Sequence, residues 1–220
     1  MHDIAIQGAA DLINTVDLVI SAILVIDTQN DFCHQDGACQ RSGLDMTPFR
    51  EMADRLNEFI TQGREARVTV IHIGQVYTPW TLSPAYMRRL KMYSNIDPYK
   101  TLQPGSWGAG FYKIVPQNNE CIIMKSRDSA FFDTNLDQIL RCSQVRTIIL
   151  TGMATSGCVE ATAKDGFFRD YHVVVLEDCT ADGLERVHES ALRRMALIGV
   201  VTSSQTVLQA WEKIGNTTEH

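Results

Sequence analysis

The sequence lacks the marks of several protein classes, and each absence removes a set of functions. It has no excess of basic residues: 20 Lys and Arg stand against 26 Asp and Glu, a formal net charge of −6. Without surplus positive charge there is nothing to neutralise a nucleic-acid backbone or an anionic membrane surface. The short basic groups, Arg88-Arg89 with Lys91 and Arg193-Arg194, read as solvated helix faces. No apolar run reaches the roughly 20 residues that cross a bilayer, and Met1-His2-Asp3 has no basic signal-peptide region. Six cysteines (33, 39, 121, 142, 158 and 179) form neither CxxC nor a zinc-finger spacing. A 220-residue chain that is 45% hydrophobic does not need disulfide staples, so reduced thiols and a cytoplasmic setting are expected. Cys33 and Cys39 are expected in a polar loop. Neither GxGxxG nor GxxxxGK[ST] occurs, and the glycine-bearing run Gly105–Gly110 matches neither spacing. With no internal repeat, low-complexity tract or Pro/Gly/Ser-rich linker, residues 1–220 are expected to form a single domain.

What is present is an alternation. Short, mostly β-branched apolar runs occur at Ala22–Ile26, Val68–Ile73, Cys121–Met124, Thr147–Leu150, Val173–Leu176 and Gly199–Thr202. Continuous runs of this kind suit strands covered on both faces. Between them lie amphipathic segments, Pro48–Gln62, Leu136–Cys142, Cys158–Asp170 and Leu184–Ile198. Repeated right-handed βαβ units follow, hence an α/β fold: a three-layer α/β/α sandwich around a mostly parallel central sheet. One stretch breaks the pattern. Residues 77–111 carry Pro79, Pro84, Pro98 and Pro104 with Trp80 and Trp107, and read as a loop excursion. Such excursions serve as binding loops or as packed surface and oligomer contacts.

Ligands of open α/β sheets sit beyond the carboxyl ends of the strands. Asp27 follows the first run, Lys125 the third, and the fourth leads through Thr151–Gly157 to Cys158. Taken singly, each has a plainer reading. Asp27 could begin a polar turn, Lys125 could face solvent, and Cys158 could be a small buried residue. Together they set a carboxylate, an ammonium and a thiol along one sheet edge. Small residues (Gly152, Ala154, Ser156, Gly157) make the turn before Cys158 tight, in the manner of a nucleophile elbow but without GxSxG. A thiol at the start of a helix is expected to be drawn toward thiolate by the helix dipole and free amides, which can also receive an oxyanion.

Four stretches carry a family resemblance: Ala22–Phe32 (AILVIDTQNDF), Pro104–Ala109 (PGSWGA), Ile123–Leu136 (IMKSRDSAFFDTNL) and Leu150–Asp165 (LTGMATSGCVEATAKD). Spread over most of the chain, they resemble the isochorismatase-like cysteine hydrolases. The resemblance implies a Rossmann-like topology and an Asp-Lys-Cys triad carried by Asp27, Lys125 and Cys158. It also implies a cis peptide before Ala154, whose amide would join that of Cys158 as the oxyanion hole. Isochorismatases proper lack the cysteine, which turns the expectation away from vinyl-ether hydrolysis. Nicotinamidases carry a metal site of one aspartate and two histidines after the second core strand. Here that region holds His72 inside the strand and no second histidine, so no metal or other cofactor is expected. Lys125–Phe132 and Asp165–Phe168 look closest to the ureidoacrylate and biuret hydrolases. The implied reaction is cleavage of a C–N bond in a small linear amide or ureide (ureidoacrylate, biuret or triuret, or an N-carbamoyl amino acid) through an acyl-thioenzyme. Family members often self-associate, so a homo-oligomer, dimer or tetramer, is expected.

Six residues are candidates for substrate contact. Phe32 could wall the pocket or pack in the core. Gln75 and Gln205 are amides at strand ends, with both donors and an acceptor for a ureido group. Tyr77 and Phe131 flank the same region. Arg127 could take a substrate carboxylate or pair with Asp128 or Asp133. Two other readings stay open: a redox-sensing cysteine with Cys179 as resolving partner, and a nicotinamidase-like amidase; a nucleotide-binding module lacks both of its glycine motifs.

Overall fold

Six strands form one parallel sheet: β1 (Ser21–Ile26), β2 (Thr69–Gln75), β3 (Cys121–Lys125), β4 (Thr147–Met153), β5 (His172–Ala181) and β6 (Val200–Thr202). They appear in a computed structural model that describes residue 12, residues 14–93 and residues 95–218. The spatial order is β3-β2-β1-β4-β5-β6. The chain therefore winds outward from β1 to β3, then returns to lay β4 beside β1. That reversal opens a crevice at the carboxyl ends of β1 and β4, where α/β proteins place their ligands.

Side-chain alternation divides the core into two layers. On one face Ile23, Val25, Ile149 and Val174 meet α3 (Thr47–Glu65) and α8 (Ser204–Thr218) through Met52, Leu56, Ile60, Val207 and Trp211. On the other, Ala22, Leu24, Ile26, Ile148 and Leu150 meet α5 (Leu136–Cys142), α6 (Glu160–Phe167) and α7 (Glu185–Met195) through Leu136, Leu140, Ala163, Ala191 and Met195. Every residue of β1 is buried, as strands covered on both faces require. This is the three-layer α/β/α arrangement anticipated from the alternation.

Three details differ from the expectations. Cys33 and Cys39 lie not in a polar loop but in two short helices, α1 (Asn30–Cys33) and α2 (Ala38–Arg41), with both side chains in the core. The excursion contains α4 (Pro84–Tyr93), with Pro84 at the first helical position, where its missing N–H costs nothing. Helix α8 was not anticipated, although its inward residues Val207, Ala210 and Trp211 are spaced three and four apart. Trp211 stacks on Phe59, with ring centroids 5.4 Å apart, and its indole N–H donates to the Val16 carbonyl at 2.9 Å.

A buried ionic cluster ties the β3 side of the sheet to α3. Glu120 accepts both forks of Arg64 at 2.7 and 2.8 Å, the Gln117 N–H at 2.8 Å, and pairs with His72 Nε2 at 2.8 Å. Burial opposes ionisation of Glu120, but Arg64, the Gln117 N–H and His72 outweigh it and hold its pKa down to about 2. Folding lowers this pKa from 4.5, so the stability it contributes is complete above about pH 5 and is lost as the pH falls through 2. Glu120→Gln is expected to remove about 3 kcal/mol of unfolding free energy at pH 7 and to flatten the acid limb. Urea melts between pH 2 and 7 measure this, and an acid limb unchanged from wild type would contradict it.

Candidate active site

Four adjacent strands each deliver one polar residue to the crevice. Lys125 ends β3, Gln75 ends β2, Asp27 follows β1, and Cys158 lies five residues beyond β4. Two strand spacings, roughly 10 Å, separate β3 from β1. The long side chain of Lys125 spans much of that gap. Its ammonium donates to Asp27 Oδ2 at 2.7 Å, Gln75 Oε1 at 3.0 Å and Cys158 Sγ at 3.2 Å. An ammonium has three protons, and each here has an acceptor. Lys125 and Asp27 are each 1% exposed, so the pair is shielded from water.

The backbone sets these groups up. Asp27 turns sharply away from β1 in the left-handed region, φ 54°, a conformation aspartate tolerates better than most residues. Gly152 lies opposite Ile26 at φ 99°, and a Cβ there would come within 2.0 Å of the Ile26 carbonyl oxygen. Glycine is needed at that point for β4 to pass β1 and enter the nucleophile turn. The Met153–Ala154 peptide is cis, as the resemblance implied.

Cys158 does not open an α-helix, as expected, but sits in one π-helical turn, Thr155–Val159, that runs into α6. The Ala154 carbonyl accepts from the N–H groups of Gly157 at 3.0 Å and Val159 at 3.2 Å, passing over that of Cys158. From behind, Thr162 Oγ1 donates to the Cys158 carbonyl at 2.7 Å.

Electrostatics also correct the thiolate expectation. Burial pushes the Cys158 thiol up, and the Asp27 carboxylate adds to the rise, while Lys125 opposes it. Burial likewise raises Asp27, against the pull of Lys125 and of the Cys158 thiol. Burial works against the charge on Lys125, but Asp27 and Cys158 outweigh it and hold the ammonium above its ordinary range. These directions favour a neutral thiol at rest beside a charged Lys125 ammonium that is hydrogen-bonded to Asp27. Desolvation beats the helix dipole, because the dipole is worth only about 0.3–1 kcal/mol whereas burial moves a pKa by up to several units.

The other sequence candidates divide. Gln75 and Tyr77 belong to this assembly. Tyr77 is buried and faces Tyr86 of α4 with centroids 6.2 Å apart, and its pKa is pushed well up by burial, then by Tyr86, Cys158 and Asp27. Phe32 is half-buried and lines a small cavity with Tyr77, Leu90 and Ile96. Arg127 stacks over the Tyr86 ring at 4.8 Å and donates to the Thr81 carbonyl at 2.9 Å. It does not pair with Asp128, which is held by Arg89 at 2.6 Å. Phe131 is placed elsewhere, 5% exposed in the core and stacked on Tyr171. Gln205 is exposed in the first turn of α8, beyond edge strand β6, and does not reach the crevice.

Other residues carry more than their sequence suggested. Gln29 Oε1 accepts the Gln75 N–H at 2.7 Å, while its Nε2 donates to the Gln75 and Ala109 carbonyls at 3.0 and 2.8 Å. Asp31 accepts the Leu102 N–H at 2.8 Å and the Ala38 N–H at 3.1 Å. A Cβ on Gly108 would land 2.0 Å from the Asp31 carboxylate, which is why the PGSWGA stretch needs glycine there. Tyr86 had no signal beyond its place in the excursion. Cys179 lies in the α3/α8 layer and Cys158 against the opposite one, so the sheet separates them and removes the proposed resolving partner. His72 points to Glu120 rather than to the crevice.

The isochorismatase domain model matches residues 21–206. Ureidoacrylate amidohydrolase RutB of Klebsiella pneumoniae is 32% identical over 172 residues, 73% of this chain and 72% of the relative. The RutB protein of Yersinia enterocolitica is 34% identical over 173 residues, 73% of this chain and 74% of the relative. An isochorismatase-like hydrolase from Alkaliphilus metalliredigens superposes with a TM-score of 0.73 at 28% identity, covering 88% of this chain and 97% of that one. The chain belongs to the isochorismatase family.

Alkylation of Cys158 by iodoacetamide reads the charge balance around the sulfur. Asp27→Asn removes a like charge and is expected to speed alkylation at pH 8 about ten-fold, whereas Lys125→Met is expected to slow it about as much. Peptide mass spectrometry over time gives both rates. Equal rates in the two variants would sink the assignment.

Proposed function

We propose that this isochorismatase-family hydrolase cleaves a C–N bond of a small linear ureide, with Cys158 as nucleophile, and that an acidic ureide of the ureidoacrylate type suits its site best. Hydrolysis of C–N bonds outside peptides is the activity class of its curated amidohydrolase relatives. The observation that carries the reading is the single ammonium of Lys125 donating to both Asp27 and Cys158.

In the proposed reaction Asp27 Oδ1 takes the thiol proton. That oxygen is buried and has no conventional hydrogen-bond donor, while Oδ2 is held by Lys125. Sγ then attacks the ureido carbonyl carbon, and the carbonyl oxygen gains the charge. The N–H groups of Ala154 and Cys158 receive it, as a preorganised pair of donors at the turn. The C–N bond breaks, and ammonia leaves with the proton that Asp27 held. Water attacks the carbamoyl thioester, Asp27 again takes a proton, and the thiol is restored with release of a carbamate. The Lys125 ammonium stays charged throughout and stabilises the thiolate in its brief lifetime. Holding the thiol neutral at rest matches general-base activation rather than a standing thiolate.

Arg127 supports the acidic substrate. Among the described residues no carboxylate pairs with it, and it lies two residues past Lys125, stacked over the Tyr86 ring. A planar guanidinium is suited to take a carboxylate on two N–H groups.

Cys158→Ala is expected to fold as wild type and to lose ammonia release from ureidoacrylate by about 10³-fold or more. Retained turnover in that variant would falsify the nucleophile assignment. Arg127→Met is expected to raise KM for ureidoacrylate about ten-fold more than KM for biuret, which has no carboxylate. Equal changes for the two substrates would remove the anion role.

A further inference from the structure

We infer that Asp182 is a positioning residue for the nucleophile turn: its carboxylate fixes the direction of the Ala154 and Cys158 N–H groups and so governs carbonyl attack without touching substrate. The inference rests on the Cys158 reading above.

Asp182 comes immediately after β5, on the strand next to β4. Its Oδ2 accepts the Ser156 N–H at 2.9 Å and its Oδ1 the N–H of Gly183 at 2.9 Å. Ser156 is the midpoint between Ala154 and Cys158, so a bond to its N–H fixes the rotation of the peptides on either side. The same segment supplies a second tether: Thr155 Oγ1, fully buried, bonds to His188 Nδ1 of α7 at 2.8 Å. Thr162 holds the Cys158 carbonyl from behind. Asp182, His188 and Thr162 thus grip the turn from outside, while the Ala154 carbonyl closes it from within through Gly157 and Val159. None of the three enters the proposed chemistry.

A plainer role is available to Asp182, that of capping the first turn of a helix, which would change stability alone. The chemistry separates the two. Attack on a carbonyl builds an oxyanion and needs aligned N–H donors, whereas alkylation of Sγ by iodoacetamide builds none and needs only the sulfur. Misplacing a catalytic group by about 1 Å costs on the order of 10²-fold.

Asp182→Ala is therefore expected to lower kcat on ureidoacrylate by about 10–100-fold. KM and the alkylation rate of Cys158 should each stay within about two-fold of wild type. Asp182→Asn, whose amide oxygen still accepts the Ser156 N–H, should recover most of the lost rate. Should Asp182→Ala be recovered unfolded, the comparison moves to Asp182→Glu, which keeps the acceptor but displaces it by one methylene and should show the same split. Unchanged kcat in Asp182→Ala or Asp182→Glu, or hydrolysis and alkylation falling in parallel, overturns the positioning role. Cys158→Ala run alongside separates the two readings. If it stays active the nucleophile assignment falls, whereas an inactive Cys158→Ala beside a fully active Asp182→Ala removes this inference alone.

Discussion

The buried ammonium of Lys125 is the interaction on which the rest depends. A charge taken out of water costs several kcal/mol unless it is well paired, and here the pairing is complete: carboxylate, amide oxygen and sulfur, one for each proton. The three acceptors come from three different strands or strand ends, so the ammonium can be satisfied only when β1, β2, β3 and β4 lie in the observed order. Correct sheet assembly and correct site assembly are thus one event. Residues that hold Gln75 in place share in this constraint, which explains why Gln29 commits both ends of its amide to the Gln75 backbone.

The segment after Asp27 looks chemical in sequence, yet its work is architectural. Gln29, Asn30 and Asp31 draw back the returning half of the excursion through the backbone of Leu102, Trp107, Gly108, Ala109 and Gly110. The outgoing half carries α4, whose Arg89 grips Asp128 and whose Tyr86 lies under Arg127. The excursion is thereby fastened on one side to the β1 end and on the other to the β3 end. Those are the strands that deliver Asp27 and Lys125. A wall fixed to both can shape access to the crevice without belonging to the core.

Legibility followed the physics of each element. Strands were readable because burial on both faces demands continuous β-branched runs, although β5 extends past its apolar stretch. Glu177 and Asp178 break the pattern while the backbone continues to Ala181. The meeting of Asp27, Lys125 and Cys158 at one sheet edge was readable because strand ends are fixed by sheet topology, whatever the loops do. Phe131 and Gln205 failed for a different reason. Their sequence distance from a strand end was right, but neither the face a side chain takes after a turn nor the place of β6 in the sheet order is written locally. Phe131 turned inward onto Tyr171, and β6 lies two strands from β4. The protonation of the thiol was misread because helix dipoles are visible in sequence and desolvation is not.

That last point bears on how such a cysteine can work at all. A thiol kept neutral by burial and by a neighbouring carboxylate is a poor nucleophile in isolation, and a poor target for oxidants as well, since reactivity of both kinds follows the thiolate. Transfer of its proton to Asp27 leaves the net charge of the Lys–Asp–Cys group unchanged and moves negative charge from the carboxylate to the sulfur. Lys125 touches both, so the attraction it loses at one atom it gains at the other. The step is nearly neutral for the surroundings and needs no reorganising solvent. Such a shift is productive when a carbonyl sits over Sγ to consume the thiolate, with amides already aligned to take the displaced charge. In the proposed reaction, the geometry that holds the Cys158 thiol neutral at rest would direct its reactivity to a bound substrate. Cys179, inside β5, packs in the opposite core layer and takes no part in this arrangement.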